Sequence, residues 1–130
     1  MTDQRKLTLS PLAERFALAR LAPEEEPPDW AFAEGFASVT RTEEEISVVC
    51  RESSVPPGVL HEGGWRCLGL LGQLDFSLAG VVSSLAAPLA DAGVPILIIS
   101  TYDSDYLLVK QDRLERAVEA LEEAGHTVLG

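Results

Sequence analysis

DFSLAGVVSSLAAPLADAGVPILIISTYDSDYLLV, residues 75–109, decides how this chain folds. Leu78, Val81, Val82, Leu85 and Leu89 recur at intervals of three, one, three and four, which places them on one face of a helix. Asp75 or Ser77 can cap its start, and Gly93 can end it. Pro88 removes one helical hydrogen bond and is expected to kink the last turn. VPILIIS then reads as a buried strand, with Pro95 tolerated at its start, and YLLVK reads as another. The connector between them, Ser100 to Asp105, has no Asn-Gly or Asp-Gly pair of the kind that closes a tight hairpin.

Working outward, WRCLGLLG (65–72) precedes the helix as a mostly apolar strand. DRLERAVEALEEAG (112–125) follows, with Leu114, Ala117, Val118 and Leu121 on one stripe. Asp112 and Glu115 have capping-box spacing there, and Gly125 is a stop signal. HTVL supplies a short last strand. The order β-α-β-β-α-β is the ferredoxin-like arrangement, an α+β fold with an antiparallel sheet and both helices on one face.

SSVPPGVLHEGGW (53–65), dense in Pro, Gly and Ser, marks a boundary. We place one unit at residues 1–60 and a second at 61–130. The first is strand-rich. KLTLS and FALARL read as two strands joined by a turn at PLAER, and WAFAEG reads as one helical turn with Asp29 as N-cap and Gly35 as stop. FASVTRT and EISVVCRE read as a hairpin turning at Glu43-Glu44-Glu45. The acidic triplet Glu24-Glu25-Glu26 reads as a solvated loop.

With 130 residues the chain is long enough for one good core or two small units, and its 46% hydrophobic content is that of a globular protein. A net charge of −11, with only ten scattered Lys and Arg, argues against nucleic acid or an anionic membrane surface as partner. No apolar run approaches ~20 residues and no signal core is present, so a cytoplasmic location is expected. Cys50 and Cys67 lack zinc-ligand spacing and read as buried thiols in a reducing compartment; no metal or cofactor is implied. There is no G-x-S-x-G, no HExxH and no P-loop, so catalysis is not expected.

SVTRTEEEISVVC, EGGWRCL, LDFSLAG and ISTYDSDYLLV together resemble the ACT domain, an amino-acid-sensing regulatory module, in its aspartokinase regulatory form. Gly80, Ala92-Gly93, Ile99-Ser100-Thr101 and Leu107-Leu108-Val109 carry the match. The combination is similar to small stand-alone bacterial ACT proteins related to tandem-ACT cytosolic arginine sensors. The resemblance implies two ACT-like units, the first smaller and degenerate, and a free amino acid bound at an interface between units.

Two segments are the candidate site. Where the first strand runs into the helix, unpaired backbone amides and the helix dipole suit a ligand carboxylate, and Asp75 suits its ammonium group. Asp75, Phe76, Ser77, Leu78 and Gly80 are therefore candidates. The resemblance adds Ser100, Thr101, Tyr102, Asp103 and Asp105 from the connector, and Ser38 and Val39 from the first unit. Each segment also has a purely local explanation. Asp and Ser are common helix caps, and Asp, Ser and Thr commonly bond their own backbone in turns. The expectation is a non-catalytic, homodimeric regulator that acts through a partner protein. An ACT-fold assembly module that has lost its ligand is the alternative.

Overall fold

The structure is a computed structural model that describes residues 6–71 and 78–130, the first two of the latter by backbone alone. The chain forms β1 (Thr8–Leu21), a 3-10 turn (Asp29–Phe32), β2 (Ser38–Arg41), β3 (Ile46–Arg51), a 3-10 turn (Glu52–Ser54) and β4 (His61–Leu70). It continues as α1 (Leu78–Asp91), β5 (Ile96–Ser100), β6 (Asp105–Lys110), a 3-10 turn (Gln111–Arg113), α2 (Leu114–Glu123) and β7 (Thr127–Val128). The fold is α+β, and β4-α1-β5-β6-α2-β7 supplies the expected β-α-β-β-α-β order.

The chain divides into two compact units, Glu14–Trp65 and Met1–Ala13 with Arg66–Gly130. In the second of these the strand order is β7-β1-β4-β6-β5. The first half of β1 thus stands between β4 and β7, and β7 pairs with it in parallel through Thr8↔Thr127 and Leu9↔Val128. Both helices cover one face. Val81, Leu85 and Leu89 of α1 and Ala117, Ala120 and Leu121 of α2 close over Leu7, Leu9, Leu68, Leu70, Leu107 and Val109. The alternate strand positions enter this core, as the two-residue period of a strand requires.

Each helix ends at the glycine that the sequence marks. Gly93 and Gly125 take φ values of 73° and 99°, a conformation that suits a residue without a Cβ. At both ends the same pair of bonds closes the helix. Gly93 and Val94 donate to Ala90 and Leu89, and Gly125 and His126 donate to Glu122 and Leu121, the Schellman arrangement.

In Glu14–Trp65 the order is β2-β3-β1-β4, with β2–β3 and β3–β1 antiparallel. A small core of Ala19, Ala31, Ile46, Val48 and Cys50 lies here. Phe16 and Phe36 meet edge to face at 5.9 Å between centroids.

Three local expectations are corrected. KLTLS and FALARL are one strand, not two. Pairing to β7 ends at Leu9 and pairing to β3 begins at Phe16, so Pro11 occupies an interval where neither ladder needs its missing amide. Asp29 is the first residue of its 3-10 turn and Pro28 the cap, with no capping side chain. Asp112 and Glu115 form no capping box, because the 3-10 turn Gln111–Arg113 leads into α2 and makes Arg113 the N-cap. The Glu43–Glu45 hairpin turn and the burial of both cysteines are as expected.

Candidate ligand site

The connector between β5 and β6 is closed by its own side chains. Thr101 donates its amide to the Ser104 carbonyl at 2.8 Å, and its Oγ1 accepts the Ser104 amide at 3.0 Å. The two hydroxyls lie 2.6 Å apart. A tight two-residue hairpin turn of the common kind needs positive φ, and no non-glycine residue in the described chain has one. The threonine hydroxyl takes the place of a backbone carbonyl, which is why no glycine is needed. The β2–β3 hairpin uses the same device: Thr42 donates its amide to the Glu45 carbonyl at 2.8 Å, and its Oγ1 accepts the Glu45 amide at 3.1 Å.

Ser100 and Asp105 face each other across the strand pair, and the Ser100 hydroxyl donates to Asp105 Oδ1 at 2.5 Å. Asp105 is only 7% exposed, so this bond holds a buried carboxylate. Tyr102 is fully exposed at the tip, with Asp103 exposed beside it. Ser100, Thr101, Ser104 and Asp105 are thus engaged with one another, while Tyr102 and Asp103 face solvent.

Strand directions bring the connector to the sheet end where α1 begins. Gly69 lies against Tyr106, and Arg66 Nη1 donates to Gln111 at 3.1 Å. Residue numbers therefore run oppositely along β4 and β6. Because β6 is also antiparallel to β5, β4 and β5 end on the same side. Gly80 lies in the first turn of α1, of which Leu78 is the first residue. Asp75, Phe76 and Ser77 lie outside the described residues. Ser38 and Val39 belong to β2 in the other unit, paired with Val49 and Val48, and Val39 packs on that unit's core.

Burial pushes the Cys67 thiol up to about 12 and raises that of Cys50, so both stay protonated near neutrality, the wrong state for a nucleophile or metal ligand. Among the described residues no cluster of three potential metal ligands occurs, and no helix is long and apolar enough to cross a membrane. Sequence reading gave no sign of a shallow groove of about 260 Å³ in Glu14–Trp65, lined by Leu18, Arg20, Glu45, Ser47, Leu60 and His61 among others. Its walls come from separate strands, so no local motif signals it.

Comparison with known proteins places this architecture. The ACT domain model matches residues 60–123, and a second model, described as an N-terminal domain, matches residues 14–58. A solved protein of Agobacterium tumefaciens is 38% identical, with a TM-score of 0.92 over 96% of this chain and 93% of its own. The chain belongs to the ACT-domain family. The human cytosolic arginine sensor for mTORC1 subunit 1 is 37% identical over 59 residues, which is 45% of this chain and 18% of the sensor. The match therefore spans under a fifth of the length of that relative. The ligand-free regulatory subunit of aspartate kinase from Thermus thermophilus shares the fold at 12% identity, with a TM-score of 0.61 over 95% of this chain and 99% of its own.

Proposed function

We propose that this chain is a non-catalytic regulatory protein that binds a free amino acid at an interface between ACT-like units, the degenerate unit 1–60 and the unit 61–130, within a cytoplasmic homodimer. The observation that carries the reading is family membership together with strand polarity. The start of α1 and the β5–β6 connector open on one sheet end, where helix amides suit a carboxylate and Asp103 suits an ammonium group; Asp75 joins this proposal from the sequence alone. One relative is named an arginine sensor and another a regulatory subunit, which agrees with this role. A ligand that bridges two units lowers the free energy of one relative orientation over another, and a partner protein reads the difference.

Isothermal titration of the purified protein against each common amino acid tests the proposal. Heat of binding that disappears in Asp75→Ala and Asp103→Ala supports it; no binding at millimolar concentration sinks it. The second reading, an assembly module without a ligand, draws on the Thr101 turn. That turn shares with the Thr42 turn its amide-to-carbonyl bond and its amide-to-hydroxyl bond, and it is closed by its own side chains.

A further inference from the structure

We propose that the groove in Glu14–Trp65 is a docking surface for a segment of a partner protein that presents an apolar side chain beside a cationic one. The proposal rests on the reading that another protein takes up this chain's signal, and it gives that partner a chemistry. Ala19 and Val48, paired in the β1–β3 ladder, face the small core, so their neighbours Leu18, Arg20 and Ser47 face away from it. These three form one wall of the groove with Glu45, and Leu60 and His61 form the other. The Arg20 amide donates to the Leu60 carbonyl at 3.0 Å, which fixes the entry to β4 beside β1 and makes the groove a preformed feature.

Its size decides against a small free ligand. Pockets that enclose such ligands hold about 300–1,000 Å³ and bury most of the ligand's surface. This groove holds about 260 Å³, and its lip is open, with Leu60 70% exposed. It seats one large side chain carried by a larger body, the way an interface anchors itself in a pocket. Half-buried Leu18 and exposed Leu60 suit an apolar anchor.

Charge identifies what accompanies the anchor. Between Glu14 and Trp65 eleven acidic residues stand against four arginines. Arg20, the one arginine in the groove wall, is already engaged: Nη2 donates to the Glu44 carbonyl at 3.0 Å, and Nε lies 3.7 Å from Glu45 Oε1. Glu45 and Glu62 both line the groove, so the lining is net negative. His61 adds an acceptor. A carbonyl only accepts, so the 2.8 Å contact of Nδ1 with the Val59 oxygen puts the proton on Nδ1 and leaves Nε2 of the neutral ring as a lone pair. A lysine or arginine next to the apolar anchor meets both the charge and the acceptor, whereas an acidic segment is repelled.

Amide NMR on the full isotope-labelled chain tests it, with acetyl-Arg-Leu-Arg-amide as the probe. We expect shifts confined to the surroundings of Leu18, Ser47, Leu60 and His61, and binding that weakens as salt is raised. Leu60→Ser, at the exposed lip, should keep the spectrum of the free protein and bind the probe about tenfold more weakly. Acetyl-Glu-Leu-Glu-amide should give no shifts there. Equal shifts from both peptides, unchanged binding in Leu60→Ser, or no shifts at millimolar peptide overturns the docking surface. Free arginine that reproduces the shifts overturns the protein segment in favour of a small cation. Calorimetric binding of an amino acid without peptide binding here overturns this surface alone, and peptide binding without amino-acid binding overturns the sensor reading alone.

Discussion

The carbonyl of Ser84 and the imidazole of His126 complete each other. Pro88 lies four residues after Ser84 and has no amide with which to serve that carbonyl, yet α1 continues to Asp91. His126 Nε2 lies 2.9 Å from the Ser84 oxygen. The Leu7 amide donates to His126 Nδ1 at 3.0 Å, which makes Nδ1 the acceptor and places the ring proton on Nε2, where it is donated to Ser84. His126 is 5% exposed, so one buried neutral ring supplies the bond that the proline removes and holds the entry to β1.

His126→Ala leaves a part-buried carbonyl and a buried amide without the imidazole as partner, and should lower stability by about 2–4 kcal/mol in urea unfolding. In a Pro88→Ala background the helix regains its own donor for Ser84. The His126→Ala penalty should then shrink, giving a double-mutant coupling of about 1 kcal/mol. Equal penalties in both backgrounds would remove Pro88 from the account.

Ser100→Ala takes the hydroxyl donor from the buried Asp105 carboxylate and should destabilise by about 1–3 kcal/mol. Tyr102→Ala, at the exposed tip, should stay within about 0.5 kcal/mol of the parent. If the amino-acid site uses this tip, Tyr102→Ala instead reduces ligand-induced thermal stabilisation.

Cys67 makes stability fall in alkali. Its thiol is raised from an ordinary 9.0 to about 12 in the folded state, so between those values the native protein keeps a proton that the unfolded chain has lost. The contribution is fully present below pH ~9 and declines by up to about 1.4 kcal/mol per pH unit above it. Unfolding midpoints measured from pH 8 to 11 should fall less steeply in Cys67→Ala.

Leu9 is fully buried in the core beneath both helices although it lies in the first strand. Leu9→Ala should cost about 2–5 kcal/mol and should loosen α1 and α2 together, as amide exchange would record. Exchange protection lost in β1 alone would contradict the shared core.

Both helices were legible because their apolar spacing and terminal glycines are local signals, and the structure keeps them at Gly93 and Gly125. The continuity of β1 was not legible. Pro11 and the charges around it read as a turn until the strand's partners are known, and those partners lie far away in the sequence. The connector yielded its composition but not its bonding. The hydroxyl of Thr101 serves a turn as readily as a ligand, and the bond from Ser100 to Asp105 depends on the register of β5 with β6. For Asp75, Phe76 and Ser77 the sequence remains the basis of the proposal.

Leu7 and His126, which bond to each other, are 119 residues apart in sequence, and Thr8 pairs with Thr127 beside them. A chain emerging from the ribosome therefore releases Leu7 and Leu9 long before the helices and strand that cover them. Closing so long a loop early is entropically unfavourable, so those apolar residues stay uncovered until the last strand has been made. The unit that contains both helices then forms in a late, long-range step, and its folding rate should respond more to substitutions at this closure than to changes in helix propensity.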